Sequence, residues 1–260
     1  MKLYLAWYST WKKWLPLKDY WQNYLETYLV AKNWDITKEY LWSKKKWFLD
    51  SWAYSANTLW IKIDLQEYID FIKKNKQYFE VYANLDVIWD EKATEENQKI
   101  MEKNGLNPLP TYHIWEPKEV FEKLVHNYDY IWIWWLVPYA RQPQKIEKCL
   151  DWCFRYIFKN KLKTKFHWRG MTNPKFMKKY PFYSVDSTGW LCGGKFKTLL
   201  RFQNWNLVSK SCADIRKERG VDFGKKNYIE LNQINVENLY RYVEYITKLQ
   251  KAKHLDYYNN

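Results

Sequence analysis

Pro181-Phe182-Tyr183-Ser184-Val185-Asp186-Ser187-Thr188-Gly189-Trp190 is the stretch whose reading decides the fold. Phe182 to Val185 form a brief apolar strand behind a basic helical segment, and an acid, two hydroxyls and a glycine follow at once. A carboxylate at the C-terminal end of a buried strand, leading into polar loop, is where barrel enzymes keep catalytic groups. The same residues also suit an Asp that caps a turn or a helix. The arrangement recurs along the chain, which favours the first reading.

Working outward, Lys2 to Trp7 is a first strand, and Leu25, Tyr28 and Leu29 mark one face of a helix from about Leu17 to Lys32. Trp47-Phe48-Leu49-Asp50-Ser51 and Phe79 to Asp86 are the second and third strands, each ending in an acid. Leu109 to His113 is the fourth. Tyr130 to Leu136, the most continuous apolar run, is the fifth, and Lys163 to Trp168 is the sixth. The opening stretch supplies the seventh strand, and Thr198 to Val208 the eighth. Helices are expected after Asp64 with Glu67 in its capping box, from Thr94 to Asn104 closed by Gly105, and from Pro117 to Asn127. Others run from Pro143 to Ile157, up to Tyr180, and from Val236 to Ala252. Alternating βα units in this number predict an α/β fold, a (β/α)8 TIM-type barrel, with residues 1–260 as a single domain.

Apolar residues make up 47% and charged residues 28% of 260, ample for a large core. No apolar run reaches the roughly 18 residues of a membrane span, so no membrane partner is expected. The apolar start Leu3-Tyr4-Leu5-Ala6 is too short for a signal peptide. Cys149, Cys153, Cys192 and Cys212 lack disulfide or zinc spacing and read as free thiols, which predicts a reducing, cytoplasmic location. The net charge of +14 suits a polyanionic partner, nucleic acid first, with general solubility through lysine as the plainer alternative. Against that ordinary background stand 18 tryptophans and only 7 glycines. Average usage gives about 18 glycines in this length. Tight βα turns need glycine for positive φ and close backbone approach.

The strand ends collect Asp50-Ser51, Asp86, His113, Trp134-Trp135-Leu136, His167 and Asp186, which a barrel brings to one mouth. Two carboxylates there can divide labour, one attacking while the other shuttles a proton. A third can accept hydrogen bonds from the amino edge of a purine-like base. Each Asp alone is more often a cap. Three at strand ends in a basic protein favour a site. His113 and His167 read as hydrogen-bonded structural groups and stay outside the catalytic set.

These residues resemble the motifs of the tRNA-guanine transglycosylase superfamily, which includes relatives that place 7-deazaguanine bases into DNA. Leu49-Asp50-Ser51-Trp52-Ala53-Tyr54 is similar to the family's Asp-Ser-Gly-Gly-Phe segment, and Asn84-Leu85-Asp86 to its base-reading strand end. Trp134-Trp135-Leu136-Val137 stands where the family has Gly-Gly-Leu. Trp168-Arg169-Gly170-Met171-Thr172-Asn173-Pro174 looks like its Gly-Val-Gly-Thr-Pro strand end, and Val185-Asp186-Ser187-Thr188 like the segment of its nucleophilic Asp. The order agrees from residue 1 to about 200. The resemblance implies base exchange on nucleic acid without a cofactor, with Asp186 as nucleophile and Asp50 as general acid/base. Ser51 and Asp86 would hold the base edge, beside Trp134, Trp135 and the Leu136 backbone. Lys175, Lys178, Lys179, Lys195, Lys197 and Arg201 flank the nucleophile and would neutralise phosphates, or serve as an ordinary solvated basic face.

Two departures shape the expectation. The family's tRNA enzymes carry three closely spaced cysteines and a histidine for zinc after the barrel; here only Cys192 and Cys212 lie in that region, with His254 far downstream. No metal is expected, and DNA is favoured over tRNA. Tryptophan also stands at 7, 52, 89, 115, 134, 135 and 168, where glycine would be natural, as a TGA codon read as glycine would produce. Two other functions stay open: a nucleic-acid-binding barrel without chemistry, its pocket filled by indoles, and a hydrolase of N-glycosidic bonds.

Overall fold

The computed structural model describes residues 1–6, 23–37, 47–134, 142–170 and 172–254. The fold is α/β, of the (β/α)8 TIM type, with eight strands in one parallel sheet. They are β1 (Lys2–Ala6), β2 (Tyr24–Thr27), β3 (Trp47–Asp50), β4 (Phe79–Tyr82), β5 (Thr111–His113), β6 (Tyr130–Trp134), β7 (Lys165–Trp168) and β8 (Ser184–Ser187). Two compact units make up the chain, Asn23–Arg169 and Met1–Gln22 with Gly170–Asn260.

In the unit Asn23–Arg169 the strands lie in chain order. Leu25 pairs with Phe48, Phe48 with Val81, Thr111 with Trp132, and Tyr130 with Lys165, all parallel. A parallel bridge between Ala83 and Leu109 carries the sheet from β4 to β5. Helices Leu65–Asn75, Glu91–Lys103, Lys118–Asn127 and Pro143–Lys159 occupy the crossovers. Their starts follow local chemistry: the Asp64 and Asp90 carboxylates accept from Glu67 N and Ala93 N, and Pro143 sits in the first turn. The sheet curls on itself. The Phe48 ring of β3 meets Trp132 of β6 at 5.0 Å and His167 of β7 at 4.7 Å, though these strands are not neighbours. Those three side chains, with Trp132 and His167 5.1 Å apart, form one layer of the interior.

In the other unit β1 and β8 run parallel, with Leu3 opposite Val185 and Tyr4 opposite Asp186. A separate antiparallel hairpin, β9 (Thr198–Gln203) and β10 (Asn206–Ser211), packs on the long helix Tyr228–Lys253. That helix opens with a capping box between Asn227 and Glu230. Its Asn235 and Asn238 side chains accept from Leu200 N and Phe202 N on the edge of β9. A Cβ on Gly193 would meet the Leu231 backbone carbon at 2.8 Å, so this contact between helices requires glycine.

Three expectations are corrected. The helix predicted from Leu17 to Lys32 is not formed at its described C-terminal part: Tyr24–Thr27 is a strand, buried at every position, and only Tyr28–Ala31 is helical. The i, i+3, i+4 spacing misled because a strand covered on both faces shows no alternation. The eighth barrel strand is not Thr198 to Val208, which folds as the hairpin around Asn204-Trp205. The terminal helix begins at Tyr228 rather than Val236. Cys149, Cys153, Cys192 and Cys212 are free thiols as expected. Among the described residues no helix is long and apolar enough to cross a membrane.

Candidate functional site

Strand alternation carries the Phe48–Trp132–His167 layer into the next one. Two residues beyond each lie Asp50, Trp134 and Arg169, on the same face at the C-terminal ends of β3, β6 and β7. Arg169 Nη2 donates to Asp50 Oδ2 at 2.6 Å, and its guanidinium lies 4.8 Å from the Trp132 ring and 4.9 Å from Trp134. Asp50 Oδ1 also accepts from Trp52 N at 3.0 Å. Asp50 therefore does act locally as a turn acceptor, and in addition holds a cation from the far side of the unit.

Beside it runs a second, continuous set. Ser51 Oγ donates to Asp86 Oδ1 at 3.2 Å, His113 Nε2 lies 3.2 Å from Asp86 Oδ2, and His113 Nδ1 lies 2.6 Å from Glu116 Oε1. Glu116 Oε2 also accepts from His113 N at 3.0 Å, so one carboxylate grips both ring and backbone. All four residues are buried. Burial pulls the His113 imidazole down, but its hydrogen bonds to Asp86 and Glu116 outweigh this and hold it up at about 9. Burial pushes the Asp86 carboxyl up. The hydrogen bond and charge of His113, with the charge of Arg169, win and keep it below the ordinary value. The His113 ring thus stands between the Asp86 and Glu116 carboxyl groups, and the Asp86 carboxylate is held ionised with defined orientation. Burial, then the charges of Asp50 and Asp86, push the Tyr68 phenol far up, and its hydroxyl donates to Ala83 O at 2.8 Å.

An aromatic wall flanks His113. Trp115 stacks on the imidazole at 4.5 Å, Trp134 meets it edge-on at 5.2 Å, and Trp89 lies 4.7 Å from Trp115. His167 is buried in the layer below, against Phe48 and Trp132. The structure thus brings together Asp50, Ser51, Asp86 and Trp134 of the predicted set. Trp135 and Leu136 lie outside the described residues. His113 is the hydrogen-bonded group that its strand-end position suggests, and Glu116 and Arg169 are two members that sequence reasoning does not single out. The spacing His113-x-x-Glu116 after a strand end was the available signal.

Asp186 belongs to the other unit and is buried on β8. Its Oδ1 accepts from Gly170 N at 2.8 Å, a partner 16 positions away rather than the start of its own turn. Gly170 reaches this bond with φ of 67°. Ser187 makes the local turn instead, accepting from Gly189 N at 2.8 Å, and its hydroxyl meets Thr172 Oγ1 at 3.1 Å. A cavity of about 810 Å³ begins two residues on, lined by Thr188, Leu191, Lys195, Phe196, Tyr228 and Asn232 among others. The predicted basic residues fall in this same unit. Lys175, Lys178 and Lys179 lie on the helix Pro174–Lys179, Lys195 and Lys197 at the end of Cys192–Phe196, and Arg201 on β9. Lys178 Nζ donates to Asn206 Oδ1, and Lys197 Nζ to Lys226 O at 3.1 Å, so both also bind within the fold.

No family model, no curated protein and no solved structure matches this chain.

Proposed function

We propose that the chain is a base-exchange glycosyltransferase, replacing guanine in nucleic acid, DNA rather than tRNA, with a 7-deazaguanine base. The observation that carries the reading is the Ser51–Asp86–His113–Glu116 set. A carboxylate has room for about four hydrogen bonds, and two acceptor positions of Asp86 are taken by Ser51 and His113. The remaining lone pairs suit the N–H and exocyclic amine along one edge of guanine. Holding that carboxylate ionised beforehand favours a base that donates twice.

In this reading the Asp186 carboxylate attacks the anomeric carbon, forming a carbon–oxygen bond as the bond to guanine breaks, and its electron pair leaves on the base nitrogen. Asp50, protonated in the step that releases guanine, supplies the proton to the departing base; left as the carboxylate that pairs with Arg169, it takes one from the incoming base, whose nitrogen displaces Asp186 and restores the free carboxylate. The net charge of +14 and the lysines of the helix Pro174–Lys179 support a phosphate-bearing substrate, from which the nucleotide must be drawn out of its stack.

Release of radiolabelled guanine from DNA and from tRNA, with and without a 7-deazaguanine base, tests the proposal. Release from DNA, stimulated by the base and lost in Asp186→Asn, is the expected result. A second reading has one observation in its favour: the Trp134 ring packs on His113 and Arg169 where the resembling family has glycine. It makes the chain a nucleic-acid-binding barrel without chemistry. Salt-sensitive binding to DNA with no release from either polymer would select it.

A further inference from the structure

Among the described residues, four tryptophans have backbone φ in the left-handed region, Trp52 at 65°, Trp60 at 57°, Trp89 at 69° and Trp205 at 59°, beside Lys161, Lys197 and Asn204. The Cβ of an L-residue crowds its own carbonyl there, and glycine is the residue that escapes the clash. Trp60, Trp89 and Trp205 each sit in a motif with a defined use for that conformation.

Trp60 ends a helix. Ile61 N donates to Ala56 O at 2.8 Å, five residues back, which closes the Schellman arrangement with Trp60 at its left-handed position. The same five-residue reach recurs from Leu106 N to Met101 O, where the position equivalent to Trp60 is Gly105 with φ of 76°, and from Leu162 N to Ile157 O, where it is Lys161 with φ of 54°. Trp205 follows Asn204 in the two-residue turn of the β9–β10 hairpin, where Gln203 pairs with Asn206 and both central residues have positive φ. That is a type I′ turn, for which Asn-Gly is the preferred pair. Trp89 is the third residue of the turn Val87–Asp90, closed by Asp90 N donating to Val87 O at 3.1 Å. Positive φ at that position marks a type II turn, which requires glycine there. Trp52 precedes the helix Ala53–Thr58 and acts through its backbone, donating N–H to Asp50 Oδ1 and accepting from Ala56 N.

Burial sets three of the four, Trp60, Trp89 and Trp205, apart from the core tryptophans, while Trp52 is half-buried. Trp132, Trp168 and Trp190 are at most 1% exposed, as large apolar side chains should be, whereas Trp60 is 95%, Trp205 67% and Trp89 58% exposed. Trp115, Trp134 and Trp168 have no left-handed backbone, and positions 7 and 135 lie outside the described residues. Among the described tryptophans, left-handed backbone is thus confined to positions 52, 60, 89 and 205.

We infer that the native protein carries glycine at 52, 60, 89 and 205, each encoded by a TGA codon that its source reads as glycine. The inference stands on backbone geometry and does not depend on the activity proposed above. At position 52 it has a functional consequence, because the Asp50-Ser51 pair is then followed by a residue with no side chain.

Sequencing the coding DNA at the four positions, with mass spectrometry of peptides from the native source, tests it. TGA codons and glycine masses at all four are expected; a TGG codon or a tryptophan mass at any one of them overturns the inference. A second arm uses recombinant protein with tryptophan or glycine at 60, 89 and 205. The triple-glycine chain should melt roughly 5 °C or more above the tryptophan chain. An equal or lower melting temperature also overturns it.

Discussion

Arg169 and Asp50, 119 positions apart in the chain, form an ion pair 2.6 Å long between Nη2 and Oδ2, with side chains only 12% and 6% exposed. The pair ties the segment after β7 to the end of β3, so it joins opposite parts of one unit at the level of the candidate site. Its guanidinium also lies over Trp132 and Trp134, which shields it from water on that side.

Removing the guanidinium takes the cation from a buried carboxylate, so Arg169→Met should cost about 3 kcal/mol of stability. Adding Asp50→Asn should restore part of that loss. A double-mutant cycle in urea unfolding measures the coupling, expected at about 1–3 kcal/mol. Strict additivity would show that the pair contributes nothing.

His113 gives the protein a signed pH dependence. Its folded value of about 9 lies above the ordinary 6.5, so the stabilisation is fully present below 6.5 and is lost as pH rises through 9. A rise of this size corresponds to about 3 kcal/mol. The stability advantage of the native chain over His113→Gln should therefore shrink on going from about pH 6 to about pH 10. Asp86 behaves oppositely: its contribution is present above the ordinary carboxylate value and fades as pH falls through its lowered one. Parallel stability curves for the two proteins would contradict this account of the cluster.

Asn235 holds the hairpin to the long helix. Its Oδ1 accepts from Leu200 N at 2.6 Å and its Nδ2 donates to Thr198 O at 3.0 Å, with the residue fully buried. Asn235→Ala strands these backbone groups and should cost about 2–3 kcal/mol, read by chemical denaturation.

Gly193→Ala tests the close approach at Leu231. A Cβ 2.8 Å from backbone atoms has no flexible neighbour to displace, so a loss of about 1–3 kcal/mol is expected. A neutral Gly193→Ala would mean that the two helices separate easily.

Much of this architecture was legible in the sequence, and the failures have physical causes. Apolar runs ending in Asp50, His113, Trp134 and Trp168 mark strands well, because parallel strands are covered on both faces. The same property hid β2, whose Tyr-Leu-Glu-Thr carries a buried acid and no alternation. Thr198 to Val208 reads as one barrel strand because Asn204-Trp205 does not look like a turn, although its backbone is one. Motif order singles out Asp50, Ser51 and Asp86, and the fold places Ser51 on Asp86 and Asp50 on Arg169. Glu116 leaves only the three-residue spacing from His113 as a local signal, and the role of Arg169 arises from a contact 119 positions away that no local pattern encodes.

The layering of the interior imposes a parity rule on this half of the molecule. Phe48 and Asp50, Trp132 and Trp134, and His167 and Arg169 are each two residues apart, so the packed layer and the polar layer share one phase of the strand. Loss or gain of a single residue inside β7 would turn His167 and Arg169 outward together, dismantling core and site in one event. Changes of two residues, or of any length in the loops, keep the phase. Indels within the strands of this unit should therefore be tolerated only in even steps, while the connecting loops are free to diversify.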